Sequence, residues 1–64
     1  MKHFLTRMQS VFSPDGRFCG TLLRHARGFD AYDATGARVG VYPEDHLIDA
    51  AVARLRSIAT ERST

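Results

Sequence analysis

The chain has one cysteine, Cys19, no tryptophan and a single lysine, Lys2. One cysteine excludes an intrachain disulfide and suits a reducing compartment. It also removes the Cys-x-x-Cys pairs on which many zinc sites rest. His3, His25 and His46 are isolated, with no His-x-x-x-His spacing. His46 and Asp49 lie one helical turn apart, but two ligands do not hold a metal. No metal and no other cofactor is expected. No apolar run approaches the roughly 18 residues a membrane span needs. The apolar N-terminal residues are interrupted by Thr6, Arg7, Gln9 and Ser10, unlike a signal peptide. The expectation is a cytoplasmic protein without a membrane partner. No phosphate loop is present, because Gly36 and Gly40 are not followed by Lys-Ser/Thr.

Sixty-four residues form one small domain, 1–64, with a β-β-β-α core over 16–60 and an N-terminal segment over 1–15. A chain of this length buries only about 60% of its unfolded surface. Domains so small usually rely on a disulfide, a metal or a partner. With the first two discounted, a protein partner or a homodimer is expected on physical grounds.

What is present organises around residues 28–43, Gly-Phe-Asp-Ala-Tyr-Asp-Ala-Thr-Gly-Ala-Arg-Val-Gly-Val-Tyr-Pro. This reads as two strands, 29–33 and 37–42, about the turn Asp33-Ala34-Thr35-Gly36, with Pro43 opening a helix. Residues 17–24 read as a preceding strand in which Gly20 marks a bulge or a close backbone approach. Three antiparallel strands on short turns make a meander. Ser13-Pro14-Asp15-Gly16 is strong turn chemistry. In residues 2–12, Phe4, Leu5, Met8, Val11 and Phe12 fit one face of a helix. The alternation Phe4, Thr6, Met8, Ser10, Phe12 fits a strand less well. A short N-terminal helix is therefore expected, with a fourth strand as the alternative. The C-terminal helix is the strongest signal. Leu47, Ile48, Ala51, Val52, Leu55, Ile58 and Ala59 form a continuous stripe, with Glu44, Asp45 and Asp49 near its start and Arg54, Arg56 and Arg62 toward its end. No internal repeat is evident.

The fold class expected is α+β, a three-stranded antiparallel meander packed on a C-terminal helix. Phe18, Leu22, Phe29, Ala31, Val39 and Val41 should face the helix. Cys19, Thr21, Leu23, Tyr32 and Tyr42 should lie on the opposite face, too apolar to be wholly solvated.

The net charge is +2, unevenly spread, with +3 over residues 1–43 and −1 over 44–64. Arg17, Arg24, Arg27 and Arg38 could together form a DNA-reading surface, because three-stranded sheets can enter the major groove. Asp15, Asp30 and Asp33 interrupt that field, and scattered surface arginines also serve solubility. Leu23, Tyr32 and Tyr42 suit a protein interface, where tyrosine is a common anchor. Catalysis has little support. Cys19 lies mid-strand, where a free cysteine acts as a small buried hydrophobe. Asp30 and Asp33 sit where turn chemistry accounts for aspartate. No small-molecule substrate is expected.

Gly28-Phe29-x-Ala31-Tyr32-Asp33, followed by Gly40-x-Tyr42 and an alanine-rich helix, resembles a pattern in small proteins of bacteria and their phages. There an aromatic-x-Ala-aromatic-Asp strand precedes a glycine-aromatic strand and a helix. The resemblance covers residues 16–60 and carries no activity with it. It implies an accessory gene on a phage or mobile element. Small phage-borne inhibitors such as anti-CRISPR proteins are often this size and act by covering a partner's surface. Together these observations point to a non-enzymatic binding protein, an inhibitor or accessory factor for a protein target, with a DNA-binding module as the alternative.

Overall fold

The computed structural model describes residues 8–63. Four strands, β1 (Met8–Phe12), β2 (Phe18–Arg24), β3 (Phe29–Asp33) and β4 (Arg38–Tyr42), precede a 3-10 turn (Asp45–Leu47) and helix α1 (Ile48–Ser63). The strands form one antiparallel sheet in the order β1-β2-β3-β4. The class is α+β, a four-stranded sheet packed against the C-terminal helix.

The fourth strand corrects the helical reading of the N-terminal segment within the described residues. Residues 8–12 are a strand, while residues 2–7 lie outside the description. Helical spacing lost because Ser13-Pro14-Asp15-Gly16 closes a hairpin. The Gly16 amide donates to the Ser13 carbonyl at 2.9 Å, and the Ser13 amide donates to the Arg17 carbonyl at 2.9 Å. Gly16 takes φ +91°, the left-handed conformation that ends a three-residue hairpin loop. Once β2 lies alongside, only Val11 of β1 needs burial.

The β3–β4 hairpin repeats this construction with an offset of twenty residues. Gly36, at φ +93°, donates to the Asp33 carbonyl at 3.0 Å, and the Asp33 amide donates to the Ala37 carbonyl at 2.9 Å. The pairings match as well. Val11 opposes Gly20 and Phe12 opposes Phe18, just as Ala31 opposes Gly40 and Tyr32 opposes Arg38. Each hairpin therefore carries a bulge in its second strand, with Cys19 and Val39 left without an opposite residue. The internal repeat that sequence reading does not find is a repeated hairpin.

The bulges decide which side chains meet the helix. A bulge shifts alternation by one, so residues before and after it follow different phases. Cys19 joins Gly20 and Leu22 on the helix side, and Phe18 turns to the other face against Phe12, ring centroids 5.8 Å apart. In β4, Val39 and Tyr42 pack on the core and Val41 is 57% exposed. The core is Val11, Cys19, Leu22, Phe29 and Ala31 from the sheet with Ala51 and Leu55 from α1. The expected placements of Phe18, Val41, Cys19 and Tyr42 are thus reversed, while those of Leu22, Phe29, Ala31 and Val39 hold.

At Gly20 the helix packs directly over the sheet backbone. A Cβ there would collide with the Tyr32 carbonyl and stand 3.1 Å from Leu55 Cδ2. Its φ of +152° also favours glycine. No helix among the described residues is long and apolar enough to cross a membrane.

Candidate functional site

One face of the sheet carries α1, and among the described residues the other carries no helix. Cross-strand register assigns the second face. Met8, Ser10 and Phe12 of β1 oppose Leu23, Thr21 and Phe18 of β2, and Leu23 and Thr21 in turn oppose Asp30 and Tyr32 of β3. Asp30 and Tyr32 then oppose Val41 and Arg38 of β4. The apolar residues here are unusually open, with Met8 67%, Phe12 48% and Phe18 41% exposed. Leu23 and Tyr32 are half-buried at the centre of the face. With Met8, Thr21 and Gly36 they line a shallow groove of about 300 Å³. The polar residues of the face are balanced among themselves. Asp30 receives His25 Nε2 at 3.2 Å on one carboxylate oxygen and Arg38 Nη1 at 3.7 Å on the other.

The sequence-predicted trio is therefore divided. Leu23 and Tyr32 share the helix-free face, whereas Tyr42 lies on the helix side with its ring 6.5 Å from that of Phe29. Phe18 and Val41 stand on the open face in its place. Sequence reading missed them because it ran each strand in a single phase. The signal that could have found the shift is the glycine at the same place in each hairpin, Gly20 and Gly40.

The four arginines weighed for DNA are also divided. Arg17 precedes β2 and Arg24 ends it, so about 20 Å of strand separates them. Arg24 turns to the helix side, where it pairs with Asp45 Oδ1 at 2.5 Å and lies 5.3 Å above the Phe29 ring. Arg27 is exposed in the β2–β3 turn, and Arg38 faces Asp30. They form no single cationic face.

Asp33 is the one buried charged group among the described residues. Its Oδ1 accepts the Thr35 hydroxyl at 2.6 Å, the Thr35 amide at 2.9 Å and the Ala37 amide at 3.0 Å. Arg62 Nη2 forms an ion pair with Oδ2 at 2.9 Å. The Thr35 hydroxyl, the turn amides and Arg62 hold the carboxyl far below the usual carboxylate range against the opposing effect of burial. A carboxylate this firmly ionised organises a turn and does not shuttle protons near neutral pH. Asp15 is likewise lowered, first by the Ser13 hydroxyl and then by the Arg17 amide.

A second cleft, of about 400 Å³, lies between the first hairpin and α1, lined by Ser13, Asp15, Arg17, Arg56 and Thr60 among others. Within it the Ser13 hydroxyl donates to Asp15, whose lowered carboxyl is a poor proton acceptor near neutral pH. Cys19 is buried, its Sγ 3.5 Å from the Arg17 carbonyl. His46 pairs with Glu44 at 3.2 Å, and no three His, Cys, Asp or Glu side chains among the described residues converge as metal ligands.

No protein-family model, no curated protein and no solved structure matches this chain.

Proposed function

We propose that this chain is a small non-enzymatic binding protein that seats a protein partner on the helix-free face of its sheet, acting as an inhibitor or accessory factor by steric cover. The observation that carries this reading is the open apolar face itself. Leu23 and Tyr32 sit at its centre, with Met8, Phe12, Phe18 and Val41 exposed around them. Contiguous exposed apolar surface on a small protein marks an interaction site. Aromatic and methionine side chains are the types enriched in such interfaces. Asp30, His25 and Arg38 satisfy one another, so a partner need not bring a matching charge to the centre. The DNA-binding alternative has less support, since its four arginines lie on different faces and ends of the sheet.

The test is capture of partners from a lysate of the source cells, with nuclease treatment, at low and high salt. A protein retained by the wild-type chain through nuclease and salt, and lost with Leu23→Asp or Tyr32→Ala, is the expected result. Nucleic acid recovered at low salt and released at high salt would instead establish the alternative. Retention of the protein by both variants would remove the open face from the interface.

A further inference from the structure

Among the described residues β1 is an edge strand, with β2 on one side and no strand on the other. The Ser13 amide bonds across the hairpin to Arg17. Alternation along an antiparallel ladder then turns the backbone groups of Val11 and Gln9 toward β2 and those of Met8, Ser10 and Phe12 to the open side. The Phe12 carbonyl bears this out, since it accepts Arg56 Nε from outside the sheet at 3.0 Å. The two sheet edges are protected very differently. β4 carries Arg38, a bulge at Val39 and a proline directly after it, three features that discourage strand addition. β1, Met-Gln-Ser-Val-Phe, has no charge, no proline and no bulge of its own.

We propose that two copies of this chain associate through β1, antiparallel, about a two-fold axis at Ser10. The sequence of the strand is self-complementary in that register. Ser10 meets its own counterpart, and Met8 of each copy meets Phe12 of the other, all on the helix-free face. Gln9 meets Val11 on the helix side. Met8 and Phe12, 67% and 48% exposed in the single chain, gain an apolar partner across the seam. The Phe12 carbonyl has a second lone pair, so Arg56 need not leave. Pairing β1 with β4 of a neighbour would build an open filament, but the protection of β4 disfavours it and leaves the closed dimer. The result is one eight-stranded sheet with both helices on one side and a doubled open face on the other. The inference rests on the protein-binding reading and adds a second copy as one partner.

Sedimentation of the full chain across a wide concentration series tests it. The mass should rise from one chain to two and stop there. Ser10→Pro removes an amide that points to the open side and leaves the β1–β2 ladder intact. Ser10→Lys sets two like charges opposite each other at the axis. Each should weaken the dimer by at least about tenfold with unchanged circular dichroism, and Ser10→Lys decides if Ser10→Pro does not fold. Ser10→Cys should crosslink two copies on oxidation, since residues paired in this way have Cα atoms about 5.5 Å apart, within disulfide range. Gln9→Cys should not. A single chain at every concentration overturns the inference. So does a dimer indifferent to Ser10→Lys. A dimer that ignores Ser10→Lys but separates with Leu23→Asp is joined face to face. In that case the edge inference falls and the open face stands. A dimer that depends on Ser10, in a chain whose protein partner is held equally by the Leu23→Asp and Tyr32→Ala variants, has the reverse meaning.

Discussion

Asp33 joins three parts of the molecule through one carboxylate. It closes the β3–β4 turn through Thr35 and Ala37 and holds the end of α1 through Arg62. Its folded pKa is depressed below the ordinary value of 3.8. The unfolded chain therefore binds this proton more readily than the folded one. The contribution to stability is complete above the unfolded value and is lost as pH falls from there through the folded value. Thermal melts from neutral to strongly acid pH should show the melting temperature falling below about pH 4. Asp33→Asn should lower it at neutral pH and flatten the acid limb. An unchanged acid limb in that variant would assign acid sensitivity to other carboxylates. The glycines offer a second comparison at this scale. Gly16 needs its left-handed φ but faces open space, so Gly16→Ala should cost roughly 1–2 kcal/mol. Gly20→Ala adds a collision with the Tyr32 backbone and should cost more, which urea unfolding of the two variants will rank.

Among the elements, α1 and the repeated hairpin share the work. The helix contributes two fully covered side chains, Ala51 and Leu55, and Leu55 fills the space above Gly20. Leu55→Ala removes most of that filling and should cost about 2–5 kcal/mol. In so small a domain that is a large part of the total. Its urea midpoint should fall far below that of Ala53→Gly, an exposed change in the same helix whose cost is about 1 kcal/mol. Similar midpoints would mean that α1 packs less tightly than its contacts indicate. The two hairpins show why the helix was easily read and the sheet faces were not. Helical spacing in residues 47–59 survives into the structure almost unchanged. Strand alternation is interrupted once in each hairpin, and each interruption reverses the facing of the residues on one side of it.

At the scale of the whole molecule, the described residues make two layers, a four-stranded sheet and one helix. A single helix can cover only one face of a four-stranded sheet, and among the described residues the other face is left open. Leu23→Asp and Tyr32→Ala belong at this scale. Both side chains lie outside the helix-side core, so either change should leave the melting temperature within a few degrees while abolishing partner capture. A large fall in melting temperature for Tyr32→Ala would place that ring in the stabilising core. The β1 edge adds a second route to association, and Ser10 separates the two because its backbone serves the edge while Leu23 and Tyr32 serve the face.

Local sequence located the three strands between Phe18 and Tyr42 and the C-terminal helix, but not where that helix begins: Pro43 lies outside it, and α1 starts at Ile48 after the 3-10 turn. Ala-Thr-Gly marked the β3–β4 hairpin turn, Pro-Asp-Gly marked a turn without settling what it joins, the apolar stripe placed the helix, and Leu22, Phe29 and Ala31 were recognisable as core. These are local signals, written in spacing and turn chemistry over a few residues. Tertiary pairing makes residues 8–12 a strand, because five residues carry too little periodicity to outweigh a neighbour that supplies a ladder. It also decided which aromatic residues face the helix. Bulges at Cys19 and Val39 arise from pairing between strands, so the phase in which Phe18 and Tyr42 point is fixed by a partner strand and not by the segment that contains them.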